Sequence, residues 1–435
     1  MAASAGAVHP AAAVTLEEAL TQLAEQNPQI QAAQHSADSA EEAIGIARAR
    51  YFPTVSLSTD GGREVFDGPV QRAVPPGNDD FSRGRSKMSL SLTQNVFDGF
   101  GRESANRQAE LQRDIAKTNL ANAQQSVLLD GATAYINVLR QYHLVDLARQ
   151  NEGTIQQQLR LEDERVQRGS GIAVDVLQAK SRLQLAKERR VAFEGGQADA
   201  FARYRQVFAA AAEPASMREP QLPAAVLPQN LQAAVEAATR NNPSVTASQQ
   251  QSRLANERIR GAESGYYPRV DLVLRRDYQR NVDGVQGIQR DYVALVQLTW
   301  ELFSGFATTS GVSAAAADYK AAQSNAMQAN RRAAEAVEQA WADLGTARER
   351  QSLLENAVNI AGEVFDARRK LRDSGRETAL NVLDAQNELY TARINLVSAT
   401  YDYDVAYYRL LAAMGQMAAS GAAANTAPAK SMPAK

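Results

Sequence analysis

Two hydrophobic periods alternate along this chain, and the alternation happens twice. A 3.6-residue pattern opens at residue 14 and runs to about Arg50, interrupted at Asn27-Pro28. It opens again at residue 231 and runs to about Ser264, interrupted at Asn242-Pro243. Proline suits the first turn of a helix, where its missing N–H has no partner to lose, so each Asn-Pro pair starts a new helix. Each helix must stop before Pro53 or Pro268, because a residue ahead of proline is pushed out of the α region. The period then drops to two. Val55 and Leu57 flank Ser56, and Met88, Leu90 and Leu92 alternate with Ser89, Ser91 and Thr93. Val270, Leu272 and Leu274 stand against Asp271 and Arg275, and Tyr292, Ala294, Val296, Leu298, Trp300 and Leu302 share one side. This alternation predicts strands near 53–62, 86–97, 268–278 and 291–303, paired as two hairpins with loops 63–85 and 279–290. About ten residues per strand is the length that crosses a bilayer when tilted. A half-buried sheet of a soluble protein is the competing reading.

After each hairpin the helical period returns and no proline interrupts it. Positions 102–168 and 307–374 each allow a helix of about 67 residues, or roughly 100 Å at 1.5 Å per residue. Leu128, Ala132, Tyr135, Leu139 and Tyr142 step by three and four, as do Leu354, Val358, Ala361 and Phe365. That is the spacing of a coiled-coil seam, with Gln, Arg, Glu and Asn opposite. Arg168-Gly169-Ser170-Gly171 and Asp373-Ser374-Gly375-Arg376 supply the glycines for tight turns into the return helices 173–211 and 377–415.

The chain is thus two copies of one unit. Tyr51-Phe52-Pro53 recurs as Tyr266-Tyr267-Pro268, 215 residues on. Val96-Phe97-Asp98-Gly99-Phe100 recurs as Leu302-Phe303-Ser304-Gly305-Phe306, and Asp175-Val176-Leu177-Gln178-Ala179 as Asn381-Val382-Leu383-Asp384-Ala385, both 206 residues on. The shift of register lies between Val55 and Val96, so the first hairpin carries the longer loop. The predicted organisation is a disordered lead (1–13), a first repeat (14–211, hairpin 53–97), a proline-rich linker (212–230), a second repeat (231–415, hairpin 268–303) and a disordered tail (416–435).

Composition narrows the chemistry. Of 435 residues 44% are hydrophobic and 22% charged, enough for a large core. Lys+Arg 47 against Asp+Glu 49 leaves a net charge of −2, which argues against nucleic-acid binding through a basic surface. The absence of cysteine excludes disulfides, thiolate metal sites and cysteine catalysis. No P-loop or G-x-G-x-x-G occurs, and His9, His35 and His143 are scattered. Neither catalysis nor a cofactor or metal is expected, so any transport draws its energy from a partner. No run of 18 apolar residues exists, which excludes a transmembrane helix but not a β-barrel. The opening MAASAGAVHPAAAV reads either as the remainder of a removed signal or as an added lead. Trp300, Tyr266, Tyr267 and Tyr292 read either as an interfacial aromatic belt or as packing residues.

Four strands cannot close a barrel, and an open edge in lipid leaves backbone groups unpaired. Several copies must therefore assemble. Two would supply eight strands and three would supply twelve, and composition does not choose between them. A soluble helical scaffold accounts for the coiled-coil seams but not for the paired ten-residue hairpins.

In its duplication, its Asn-Pro and Tyr-x-Pro junctions, its Gln94–Gly99 strand exit and its tip segments Gly169–Ala179 and Gly375–Ala385, the chain resembles the TolC family of outer-membrane channels. The likeness extends over 14–415. It implies a mainly α protein with a transmembrane β-barrel: a homotrimer with one twelve-stranded barrel continuous with a helical coiled-coil periplasmic tunnel. It also implies a setting in outer-membrane lipid and docking, through a periplasmic adaptor (membrane fusion protein), to an inner-membrane ABC transporter. The docking tips would be Gly169, Ser170, Gly171, Ser374 and Gly375. In the family, acidic residues ring the periplasmic constriction. Asp384 matches the second acidic position and Asn381 stands at the first, so this ring would carry one carboxylate per chain. Asp175 matches an aspartate that latches the closed tip, and Arg372, Arg376 and Glu377 are the available partners, although they depart from the family's pattern. The alternative for Asp175 and Asp384 is that they complement helix dipoles. Many drug-efflux members carry a lipidated N-terminal cysteine, which this sequence lacks. Its Ser56–Glu64 strand is similar to that of members serving type I protein secretion. The expected function is therefore the exit duct of a type I system, with multidrug or small-molecule efflux as the alternative.

Overall fold

The computed structural model describes residues 15–66, 82–169, 172–223 and 226–418. In chain order these form α1 (Leu16–Gln26), α2 (Pro28–Ala49), β1 (Thr54–Val65), β2 (Ser82–Phe97), α3 (Gly101–Gln167), α4 (Ala173–Phe208), α5 (Leu231–Asn241), α6 (Pro243–Glu263), β3 (Arg269–Arg280), β4 (Ile288–Thr299), α7 (Ala307–Asp373) and α8 (Ala379–Ala413). The chain divides into two compact units. One holds the chain up to Gln34, Thr118–Thr246 and everything from Gln328; the other holds His35–Lys117 and Ala247–Met327.

Local chemistry explains why the two copies share their breaks. Asn27 ends α1, and its side-chain oxygen accepts the Gln29 N–H at 2.8 Å. Asn242 ends α5 and accepts the Ser244 N–H at 2.9 Å. Each asparagine closes an Asx turn onto the backbone two residues on, while the following proline occupies the first helical position. The strand exits repeat in the same way. Gly99 and Gly305 have φ of +67° and +63°. A β-carbon on Gly99 would lie 2.6 Å from the Tyr267 β-carbon, so only glycine fits there. Asp98 Oδ2 then accepts the Arg102 N–H at 2.9 Å and caps α3.

In the strand-bearing unit the two hairpins fuse into one antiparallel sheet, ordered β1-β2-β3-β4. The strands outrun the expected loops. β1 continues to Val65 and β2 starts at Ser82, so the ladder extends into the predicted loop 63–85. Apart from Val65 the residues in that stretch are polar or glycine, so no alternation marks them. Arg85 holds them instead, through Asp60 at 3.0 Å and Glu64 at 3.6 Å. β3 and β4 likewise reach Arg280 and Ile288, within the predicted loop 279–290, while β4 ends at Thr299 rather than 303.

Register fixes two faces. Leu57, Leu90, Arg276 and Tyr292 lie in one row, as do Val55, Leu92, Leu274 and Ala294. On the other face Ser89, Asp277 and Asp291 align. The apolar face is bare: Leu57, Val296 and Leu298 are 64%, 69% and 62% exposed. The polar face is knitted together. Ser89 donates to Asp277, Arg275 pairs with Asp277 at 3.0 Å, and Asp271 accepts from Asn95 at 2.8 Å and from Arg269 at 2.7 Å. A bulge between Asn95 and Phe97 leaves the carbonyls of Asn95 and Val96 to accept from the Arg102 guanidinium, each at 2.8 Å. Tyr266, Tyr267, Tyr292 and Trp300 are all exposed, which favours the belt over core packing.

The other unit holds the main core. Leu16, Leu20 and Leu23 of α1 and Ala234 and Ala238 of α5 belong to one cluster with Tyr135 and Ile136 of α3, Val337 of α7 and Tyr407 and Leu410 of α8. The proline-rich segment 212–230 is bonded to this core. Tyr135 Oη donates to the Arg218 carbonyl at 2.8 Å, and Tyr407 Oη donates to the Pro223 carbonyl at 2.9 Å. Asp404 is a buried acid of this unit. Burial, and then Glu219, push it up to about 7 against the pull of Arg140.

The expected tail needs a correction at its start. Met417 is buried, its N–H donates to Gln125 Oε1, and its carbonyl accepts from Gln125 Nε2, both at 2.9 Å. An Ala/Ser-rich stretch gives no sign of such anchoring by a distant glutamine. The lead (1–13) and residues beyond 418 lie outside the described residues.

Candidate functional site at the helical turns

The helix ends at the two turns follow from backbone chemistry first. Gly169 and Gly375 each have φ of +76°, the left-handed position that closes a helix C-terminus. The Gly375 N–H donates to the Arg372 carbonyl at 3.0 Å, and the Arg376 N–H to the Leu371 carbonyl at 2.9 Å, a paired closure of the last turn. The Gly169 N–H donates to the Val166 carbonyl at the matching place, also at 3.0 Å. Ser170 and Gly171, two of the predicted docking residues, lie outside the described residues; Gly169, Ser374 and Gly375 are exposed.

Side chains then distinguish the turns. Thr378 caps α8 by accepting the Asn381 N–H at 3.2 Å. Glu377 accepts from the Thr378 N–H at 3.0 Å and from the Asn381 side-chain amide. The amide of Asn381, then the Thr378 N–H, hold the Glu377 carboxyl below the usual carboxylate range, with Arg368 adding to them. At the other turn Ile172 precedes α4 and supplies no side-chain cap.

Two ion pairs tie helices together across the copies. Arg372 grips Glu162 of α3 through Nη2, at 2.8 Å to Oε1 and 2.7 Å to Oε2, and its Nη1 donates to the Glu377 carbonyl at 3.1 Å. Glu162 is buried, and Arg165 adds a second contact at 3.1 Å. Asp384 pairs with Arg182 of α4 at 2.6 Å, half in solvent. Deeper along the helices, the Gln386 amide donates to Asn151 at 3.1 Å.

The predicted residues are therefore only partly brought together. Arg372, Glu377 and Asn381 form one bonded group. Asp384 sits apart with Arg182. Asp175 lies in the first turn of α4, and its carboxylate bonds none of Arg372, Arg376 or Glu377 within the chain; Arg376 is exposed. Glu162 and Arg182 were missed. Glu162 had a signal, since it interrupts the seam Ile155, Leu159, Glu162, Val166, where a charge needs an opposite partner. Arg182 had none. Among the described residues no group of three or more His, Cys, Asp or Glu is placed to hold a metal ion.

Residues 19–210 and 234–416 match the family described as outer membrane efflux protein. The chain is 25% identical over 406 residues to the outer membrane efflux protein BepC of Brucella suis, covering 93% of this chain and 86% of that one. It is 24% identical over 396 residues to the alkaline protease secretion protein AprF of Pseudomonas aeruginosa, covering 89% and 81%. Its fold matches the crystal structure of the Campylobacter jejuni CmeC outer membrane channel with a TM-score of 0.79 at 14% identity, covering 92% and 85%. The fold is thus that of an outer-membrane channel, mainly α with a transmembrane β-barrel to which each chain gives a four-stranded sheet. The protein sits in the outer membrane with its helical part in the periplasm, and it is a transport protein rather than an enzyme. With nearly all of both repeats inside the matched segments, the chain belongs to the outer membrane efflux protein family.

Proposed function

We propose that three copies of this chain form the outer-membrane exit duct of a type I secretion system, conducting exported proteins passively from an inner-membrane ABC transporter and its periplasmic adaptor to the cell exterior. The observation that carries a water-filled duct is the two-faced sheet. One face is bare and apolar, and the other is lined by Ser56, Ser58, Ser89, Ser91, Thr93 and Gln297. Both sheet edges, β1 and β4, want a neighbouring copy, because unpaired edges in lipid are costly. Protein cargo is supported by the similarity to a protein named for alkaline protease secretion and by the Ser56–Glu64 strand. Efflux of small molecules is the second reading, favoured by the description of the family and by the similarity to BepC.

In this reading the turns meet the adaptor at Gly169, Ser374 and Gly375, and Asp384 with Asn381 forms the constriction, one carboxylate per copy. Glu377 and Arg372 hold the second turn, and Asp175 and Arg376 remain open to a neighbouring copy. Complementation tests the cargo. The full chain is expressed with its adaptor and transporter in a strain lacking its secretion duct, and separately in one lacking its efflux duct. Rescue of protein export is the expected result. Rescue of drug resistance alone would replace the secretion reading with efflux.

A further inference from the structure

The apolar face of the sheet carries a charge pattern that a duct does not need. Its strand residues are Val55 to Val65 in odd steps on β1, and Ser82 to Leu92, Val270 to Arg280 and Ile288 to Leu298 in even steps on β2, β3 and β4. Among these described residues there is no Asp or Glu, yet there are four arginines: Arg63, Arg276, Arg280 and Arg290. All four are exposed and none has a carboxylate partner among the described residues. The polar face differs at the same level, where Arg85 pairs with Asp60 and Glu64, and Arg275 with Asp277.

The arginines gather at one end. Helices α2, α3, α6 and α7 join the sheet at the end holding Thr54, Phe97, Arg269 and Thr299, which is the periplasmic end of a protein whose helices lie in the periplasm. The arginines lie toward the opposite, outward end, above the apolar row of Leu92, Leu274 and Ala294. Tyrosines brace them: the Arg276 guanidinium lies 5.2 Å from the centre of the Tyr292 ring, and that of Arg290 5.9 Å from Tyr278. These two cross-strand pairs occupy successive rows, so Arg276 and Arg290 alternate diagonally with the two rings.

Unpaired arginine facing hydrocarbon is unfavourable, and the penalty fades only near the membrane interface. A guanidinium placed over a ring keeps N–H donors for another partner, and its fork matches phosphate oxygens in bidentate fashion. We propose that Arg276 and Arg290, with Arg280 in the next row outward, bind the phosphates of a phosphorylated glycolipid headgroup in the outer leaflet. The charge on this face calls for an anion, and its neighbours on the sheet supply none. The site rests on the four strands being membrane-spanning. It explains why basic residues are retained on a surface that otherwise follows an apolar rule.

The test uses the full-length oligomer in neutral detergent, titrated with diphosphorylated lipid A, dephosphorylated lipid A, phosphatidylglycerol and inorganic phosphate, with bound lipid read by native mass spectrometry. Diphosphorylated lipid A is expected to bind at least about tenfold more tightly than the dephosphorylated form. The double variant Arg276→Gln/Arg290→Gln should lose that preference, while Arg275→Gln on the polar face should keep it. Arg276→Lys/Arg290→Lys, which preserves charge but not the fork, should fall between, and it serves if the glutamine variant does not assemble. Equal binding of the two lipid A forms overturns the proposal. So does an unchanged preference in both double variants, or displacement of lipid A by phosphatidylglycerol or inorganic phosphate at matched concentration. A protein that forms no detergent-dependent, heat-modifiable oligomer would overturn the barrel itself; an oligomer blind to the phosphates overturns only the lipid site.

Discussion

The two helical turns descend from one sequence and close their helices with the same backbone, yet they are held by different means. Gly169 and Gly375 share a φ of +76° and the same N–H to carbonyl bond three residues back. Beyond that the copies part. The second turn has a threonine cap, a glutamate bonded to it and an arginine fork reaching to Glu162, whereas the first enters α4 through Ile172 without a side-chain cap. The difference teaches that duplication preserved what the turn needs to exist and let its fastening diverge. Among the described residues, the second turn is fixed to a neighbouring helix by an ion pair, and the first starts its helix without a side-chain cap.

The largest effect should come from cutting the fixed turn loose. Arg372→Ala leaves the buried Glu162 carboxylate with only Arg165, and a charged hydrogen bond of this kind is worth about 1.5–3 kcal/mol. Hydrogen exchange at residues 371–383 should accelerate accordingly, and Glu162→Ala should do the same, with the double variant less than additive. Exchange around 166–176 should change little. If both turns loosen together, the contrast between a fixed and an uncapped turn is wrong.

Next in size is the cap. Thr378→Ala should cost about 1 kcal/mol at the start of α8, and Ile172→Thr should add up to a similar amount at the start of α4. The pair of substitutions swaps the two turns' fastening, so their exchange rates should converge. A rate at 172–176 that ignores Ile172→Thr would mean that the first turn is already held by something other than its cap.

How far the sequence foretold these contrasts depends on the range of each interaction. Periodicity located the strands and long helices, because burial repeats at fixed spacing along the chain. Gly169 and Gly375 were legible as turns, because only glycine adopts the left-handed position without strain. The strand ends near Val65 and Ser82 were not legible, since polar ladder residues such as Asp60 and Arg85 carry no alternation. The turn partners were legible only in part. Thr378, Glu377 and Asn381 are neighbours in sequence and share a local bond network. Arg372 reaches Glu162, 210 residues away, and Arg182 reaches Asp384, 202 residues away, and nothing local announces either. The charge at Glu162 in an otherwise apolar seam was the one available hint.

A smaller effect follows pH. Glu377 is held below the ordinary carboxylate value of 4.5 in the folded chain, so its contribution is complete above that value. It is lost as pH falls through the lower folded value, when the carboxylate that accepts from Thr378 and Asn381 becomes protonated. Exchange at residues 377–381 should therefore rise on acidification below about pH 4.5, where the unfolded group begins to take up its proton. Glu377→Gln should flatten that dependence. Among the described residues the first turn has no carboxylate bonded at its helix start, and it should show no matching step.

The smallest effect on stability, and the most telling for transport, concerns Asp384 and Arg182. Their pair is half in solvent, and exposed pairs contribute about 0.2–1 kcal/mol, so neither substitution should shift unfolding by much. Conductance is a different matter, because a carboxylate paired with a guanidinium attracts a passing cation less than a bare one does. Arg182→Ala unmasks one carboxylate per copy and should strengthen block by a multivalent cation in planar bilayers. Asp384→Ala should abolish the block, and the double variant should behave as Asp384→Ala does. An unchanged block and conductance in Asp384→Ala would place the constriction elsewhere and leave this pair as a tie between α4 and α8. It would then match the Arg372–Glu162 tie in kind, and the second copy's fastening would be structural throughout.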